Sequence, residues 1–219
     1  MPSFSAQRET EEDWREFPAV ERLPGNQVAL TFDDGPDEDA TPAVLKALEA
    51  AGIRATFFIV GEQLMRHHRV ARDAAVAGHE LALHGFAHPR HKELFPPEAR
   101  DEVARGVGAF EVVAGAKPRF FRPPYGQFSE HSYKACSALG LEPIYWSSWG
   151  LDWEDIAADR IAELVIRDLS PGAIVLLHDS PRYADRPSAA ATAQAIPLIA
   201  AAAAERGLEW TTVGDALSG

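Results

Sequence analysis

With one cysteine, Cys136, in 219 residues, the chain has no internal disulfide. The thiol falls in a helix-like stretch and reads as a small core side chain. Long apolar runs are missing too. The alanine-rich stretch Ile196 to Ala204 is too short to cross a bilayer, so no membrane span is expected. Residues 1–24 carry Glu9, Glu11, Glu12 and Asp13 and no apolar signal-peptide core. As written, the chain reads as cytoplasmic; a secreted protein whose leader had been removed would read the same. Positive charge is scarce: 21 Lys and Arg stand against 33 Asp and Glu, a net charge of -12. Such a balance argues against nucleic acid and against an anionic membrane as partner. A glycine-rich phosphate loop is also lacking. The first apolar run ends at Asp33-Asp34-Gly35-Pro36, which offers acids where a phosphate needs backbone N–H groups.

What is present is a repeat. Residues 1–26 form an acidic, weakly periodic peripheral arm with room for one short helix, and residues 27–219 form a single catalytic domain. In that domain strand patterns at Gln27–Phe32, Ala55–Val60, Glu80–Leu83, Arg119–Phe121, Glu142–Ser147, Ala173–Leu177 and Leu208–Thr212 alternate with helical stretches. The helices are Thr41–Ala51, Glu62–Ala77, Pro97–Val113, Ser129–Leu139, Asp159–Leu169 and Ser188–Glu205, several of them stopped by glycine. About seven strand–helix units with short connections predict a parallel α/β fold, closed or nearly closed into a barrel. An open doubly wound sheet is the second choice.

In a parallel barrel the C-terminal strand ends meet at one mouth, where active sites form. The residues there are Asp33 and Asp34, then His84 and His88, then Arg122, then Asp152, then His178. Two adjacent acids after a buried strand repel each other and lose hydration, a cost that a bound cation offsets. His84 and His88 can face one way on a helical turn. With Asp34 they make a two-histidine, one-carboxylate set suited to a divalent metal, zinc first, with cobalt, nickel, manganese or iron also compatible. Asp33, diverging from Asp34, is better placed as general base, with Arg122 orienting it and keeping it ionised. Pro123 and Pro124 stiffen the loop that holds the Tyr125 N–H toward a developing oxyanion. His178 ends the most apolar strand, and Asp152 would favour its protonated form as general acid. Trp153 and Leu176 form the wall of a small acyl pocket. Trp146, Trp149, Tyr125 and the loop of Arg182, Tyr183, Asp185 and Arg186 are candidates for sugar contact. His91 is within reach of the mouth, and Asp179 is structural.

Five segments in order, Thr31–Pro36, His84-Gly-Phe-Ala-His88, Arg122-Pro-Pro-Tyr-Gly126, Asp152-Trp153 and Leu176-Leu-His178, resemble the polysaccharide deacetylases of carbohydrate esterase family four. The resemblance runs from about Gln27 to Val213. It implies a distorted (β/α)7 barrel with parallel strands and its active site at the C-terminal strand ends. It implies Asp33 as base, with Asp34, His84 and His88 holding one divalent metal, most simply Zn2+. It also implies Arg122 as positioner of Asp33, the Tyr125 N–H as oxyanion donor, and His178 as acid tethered by Asp152. Trp153 and Leu176 would line the acetyl pocket, with Pro123 and Tyr125 also at the substrate. The implied activity is removal of acetyl groups from N-acetylglucosamine-containing poly- or oligosaccharides. Two rivals are a hydrolase of a small non-polymeric amide and a non-catalytic carbohydrate-binding relative. Gly85 stands where the family usually has Ser or Thr, and Trp149 stands where it often has another acid. Oligomeric state has no signature in the sequence.

Overall fold

The computed structural model describes residues 16–218. The strands are β1 Gln27–Asp33, β2 Thr56–Ile59, β3 Glu80–Leu83, β4 Phe120–Phe121, β5 Glu142–Pro143, β6 Ser148–Trp149, β7 Ile174–His178 and β8 Glu209–Trp210. Between and after them run α1 Ala40–Ala51, α2 Gly61–Arg66, α3 His68–Val76, α4 Pro96–Ala114, α5 Glu130–Ala138, α6 Ala158–Asp168, α7 Ala190–Glu205 and α8 Val213–Ser218.

All the strand pairings are parallel, in the order β5-β4-β3-β2-β1-β7-β6, with β8 joined to the first two residues of β1. This order is cyclic, so the sheet curls as the expected distorted (β/α)7 barrel; a doubly wound sheet would reverse direction part-way. Strands covered on both faces read as continuous apolar runs. Val28, Ala29, Leu30 and Phe32 of β1 and Ile174, Val175 and Leu177 of β7 are all fully buried.

Three local expectations change. The single helix expected over Glu62–Ala77 is two, α2 and α3, broken at His67. The short tail after the last strand is helical, as α8. The fifth strand, expected over Glu142–Ser147, divides into β5 and β6, which lie at opposite ends of the sheet order. The chain itself crosses the seam through residues 144–147. Val20 sits in that crossing, donating to the Pro143 carbonyl and accepting from the Tyr145 N–H, while the Ser147 N–H reaches Ile174 on β7.

Val20 belongs to the arm. None of its described residues, 16–26, is helical; residues 1–15, the rest of the arm, lie outside the described residues. Phe17 stacks on Tyr133 at 4.7 Å, and Leu23 is buried, with its N–H donating to Gly172. Among the described residues no helix is long and apolar enough to cross a membrane.

Candidate active site

β1 delivers Asp33 at its last position, and the backbone then turns left-handed at Asp34, with φ 81°. The two carboxylates therefore part. Asp33 Oδ1 accepts from the Arg122 guanidinium at 2.7 Å. Arg122 follows β4 and is wholly buried inside the barrel. It also donates to Thr31 Oγ1 at 2.8 Å and to the Tyr145 carbonyl at 2.9 Å, and it lies 4.0 Å from the centre of the Phe58 ring. A planar fork with several fixed donors can anchor one acid while tying three strands together.

Asp34 turns the other way, toward His84 and His88. Its Oδ1 lies 3.1 Å from His88 Nε2 and 3.6 Å from His84 Nε2. The three ligand atoms all stand within 4.8 Å of one another. Burial alone would raise the Asp34 carboxyl, but the nearby His88, His178 and His84 outweigh it and hold it at about 2. Burial takes His84 down to about 4, only partly opposed by Asp33 and Asp34, so its ring is neutral at physiological pH. Its Nδ1–H donates to the Arg122 carbonyl at 2.8 Å, which leaves the lone pair on Nε2 facing Asp34. Despite the short distances, no well-aligned hydrogen bond reaches buried Asp34 Oδ1 among the described residues. A buried anionic oxygen facing two imidazole nitrogens in this way fits a cation at their common point.

On the far side of the cavity, His178 Nδ1–H donates to Asp152 Oδ1 at 2.8 Å, and the His178 backbone N–H donates to Oδ2 at 2.9 Å. Asp152 is fully buried and also accepts from Thr192 Oγ1 at 2.7 Å, with Arg186 alongside at 3.4 Å. Burial works against a charged imidazole, but Asp152 first, then Asp34 and Asp33, lift His178 to about 9.

Asp33, Asp34, His84, His88 and His178 line one open cavity of about 520 Å³, shared with Arg90, Tyr125, Trp149, Trp153, Leu176 and Tyr183. Tyr125 is left-handed, with φ 56°, and its half-exposed ring lies under the Arg90 guanidinium at 3.9 Å. Trp153 meets His178 edge-on at 5.6 Å. Tyr183 stacks flat on His88 at 4.1 Å.

The polysaccharide deacetylase family model matches residues 21–144. The chain belongs to the polysaccharide deacetylases, carbohydrate esterase family four. Within the family it is 34% identical, over 71% of its length, to a peptidoglycan-N-acetylglucosamine deacetylase of Bacillus cereus, of which the match spans 56%. It is 38% identical to a chitooligosaccharide deacetylase of Bradyrhizobium, over 69% of this chain and 70% of that one. Among solved structures, a peptidoglycan N-acetylglucosamine deacetylase superposes with TM-score 0.83 at 26% identity, covering 99% of this chain and 97% of the other. A family pseudoenzyme from Bacillus anthracis superposes with TM-score 0.80 at 26% identity, over 91% and 69%.

The barrel brings Asp33, Asp34, His84, His88, Tyr125, Trp153, Leu176 and His178 to the cavity wall, with Arg122 and Asp152 buried behind it. Pro123 is not part of the wall; it is buried next to Arg122. Arg186 faces inward rather than toward the mouth, donating to the carbonyls of His178 and Ser180. Asp179 is structural, as its strand position suggested: it accepts from the Gly35 N–H at 3.1 Å and from Thr41 Oγ1 at 2.6 Å. Arg90 and Gln127 line the cavity without any sequence signal beyond their neighbours' motifs.

His91, expected within reach of the mouth, is instead entirely buried beside Phe121, and neither ring nitrogen has a partner. Burial, then His84 and His88, push it down to about 3. A neutral, unsatisfied imidazole in a core is a desolvation cost without return. His91→Leu is therefore expected to raise the thermal midpoint by a few degrees, about 1 kcal/mol. It should also remove stability lost on acidification. The folded value lies below the unfolded one, so stability is present above about pH 6.5 and falls as pH drops toward 3. Melting curves from pH 7 to 4 check both; equal slopes in the variant and the wild type would refute the assignment.

Proposed function

We propose that this protein is a metal-dependent N-deacetylase of N-acetylglucosamine-containing glycans, with its catalytic domain over residues 27–219, preceded by the arm of residues 1–26. The observation that carries the reading is the placement of an arginine-held acid and a carboxylate-held histidine on opposite sides of one cavity. Asp34, His84 and His88 lie between them. The names of the relatives, peptidoglycan and chitooligosaccharide deacetylases, support the substrate class.

Asp34, His84 and His88 would hold one divalent ion, most simply zinc, which when bound supplies a Lewis acid for water and carbonyl oxygen. Asp33, aimed by Arg122, takes a proton from the attacking water. The resulting hydroxide adds to the acetyl carbonyl carbon. The Tyr125 N–H donates to the oxygen as it becomes anionic. His178, charged at neutral pH, gives its Nε2 proton to the departing sugar nitrogen, the C–N bond breaks, and acetate leaves. Trp153 and Leu176 hold the acetyl methyl, and Trp149 and Tyr183 offer ring faces to the sugar.

Acetate release from N-acetylglucosamine oligomers and from peptidoglycan fragments tests this directly. Activity is expected to disappear on chelation and to return with zinc, cobalt, nickel or manganese. A zinc-loaded protein that releases no acetate from either class would rule the reading out.

A further inference from the structure

The buried face of α4 runs Ala99, Glu102, Val103, Gly106, Val107, Phe110. Glu102 breaks that otherwise apolar stripe and is only 6% exposed. A carboxylate does not remain buried without donors to satisfy it. Its donors are two consecutive backbone amides: Glu102 Oε1 accepts from the Phe86 N–H at 2.6 Å and from the Ala87 N–H at 2.7 Å. These belong to the turn between His84 and His88.

The carbonyls of the same turn are held from the other side. Gly61 N–H donates to Gly85 O at 2.9 Å, and Glu62 N–H donates to Phe86 O at 2.8 Å. Side-chain room is absent as well. Gly85 has φ 81°, and a Cβ there would stand 3.0 Å from Glu102 Oε1; a Cβ on Gly106 would stand 3.0 Å from the Gly85 carbonyl carbon. The two histidines differ in how their rings are aimed. His84 is fixed through Nδ1 by the Arg122 carbonyl, whereas His88 Nδ1 is buried without a partner. Apart from its ring contacts with Tyr183, Tyr125 and His84 and the approach of its Nε2 to Asp34, His88 is oriented by the backbone on which it sits, itself left-handed at φ 64°.

We infer that Glu102 is a positioning residue of the metal centre: by accepting the Phe86 and Ala87 amides it sets the turn that aims His88. The inference rests on the proposed metal site. Outer-shell groups of this kind commonly change metal affinity about 10–100-fold.

The test is zinc affinity by chelator competition, together with the visible spectrum of the cobalt-loaded protein, on folded variants. Glu102→Leu, which leaves the Phe86 and Ala87 amides without their acceptor, is expected to weaken zinc binding at least about tenfold and to alter the cobalt bands. Glu102→Gln keeps an acceptor oxygen and is expected to restore affinity to within about threefold. Val107→Ala, one to two turns further along the same buried face, should lower the melting temperature and leave affinity unchanged. Zinc binding by folded Glu102→Leu equal to wild type, or an equal loss in Val107→Ala, would overturn the inference. If Glu102→Leu does not fold, Gly85→Ala replaces it, since its Cβ presses on the same oxygen. It is expected to lose about tenfold, and wild-type affinity there overturns the inference as well. Absence of zinc binding in the wild type would instead remove the metal site on which the inference stands.

Discussion

Asp33→Asn is expected to lower kcat about 10²–10⁴-fold while zinc binding persists. The amide keeps an oxygen for Arg122 to donate to, at the place where Oδ1 now accepts at 2.7 Å, but it cannot take the proton of the attacking water. Asp34, which faces the histidines, is untouched. A second effect follows from burial. Arg122 is wholly enclosed, and Asp33 is the carboxylate it pairs with. Removing that counter-charge leaves a guanidinium stranded in low dielectric, a loss of about 3–5 kcal/mol when one member of such a pair is deleted. The variant should therefore be both inactive and less heat-stable, with the stability loss regained when Arg122 is replaced together with Asp33 by uncharged residues of similar volume. Steady-state acetate release, zinc titration and calorimetry separate the two effects. Retention of activity within tenfold of wild type would dismiss Asp33 as the base.

Replacing His178 by alanine should cost about 10²–10⁴ in kcat, most severely for substrates with a poor amine leaving group. Asp152→Asn carries more information, because it changes the acid's strength while leaving the imidazole in place. His178 in the wild type is lifted to about 9, with Asp152 the chief agent opposing burial. An acid that must be protonated works below its pKa, so activity should fall as pH rises through that region. In Asp152→Asn the basic limb should move toward neutrality by a unit or more, about 1.4 kcal/mol per unit. Stability follows the same sign. A folded value above the ordinary 6.5 contributes stability that is complete below pH 6.5 and lost as pH rises through about 9. A divalent ion beside Asp34 opposes the part of the lift that Asp34 and Asp33 provide, so the metal-free protein is the sample for an NMR titration of the ring. An imidazole titrating near 6.5 in the metal-free wild type would remove His178 from the acid's role.

The strand ends and the polar residues placed on them were legible because β-runs such as Ala173–Leu177 stop abruptly at a charged or imidazole side chain, and period and burial coincide there. The divided fifth strand was not legible. No turn signal interrupts Ile144-Tyr145-Trp146, and only the curl of the sheet decides that the residues before and after it belong to opposite edges. Nor could the sequence reveal what stands behind the motifs. Thr192 lies forty positions from Asp152 yet donates to its carboxylate, and Glu102 lies fifteen or more from the amides it accepts. Such partners are chosen by tertiary packing and leave no local spacing. A partial trace existed at Glu102, an acid in the apolar stripe of an amphipathic helix, which marks a buried charge in need of donors. His91 shows the converse: a loop position after Pro89 suggested reach to the mouth, whereas the short helical turn that it opens folds it inward onto Phe121.

The chain's passage across the seam at residues 144–147 ties Asp33, the proposed base, to the barrel's own closure. Arg122 reaches with one nitrogen to Asp33 and with the other to the Tyr145 carbonyl in the crossing, and Tyr145 is in turn latched to Val20. The guanidinium thus acts as a keystone: one rigid plane wedged between the first strand and the segment that joins the two sheet edges. Any spreading of the seam must draw on the same plane that aims the carboxylate. Barrel curvature and the direction of the Asp33 carboxylate are in that sense a single mechanical variable, and the residues before β1 that touch the crossing belong to the mounting of that carboxylate.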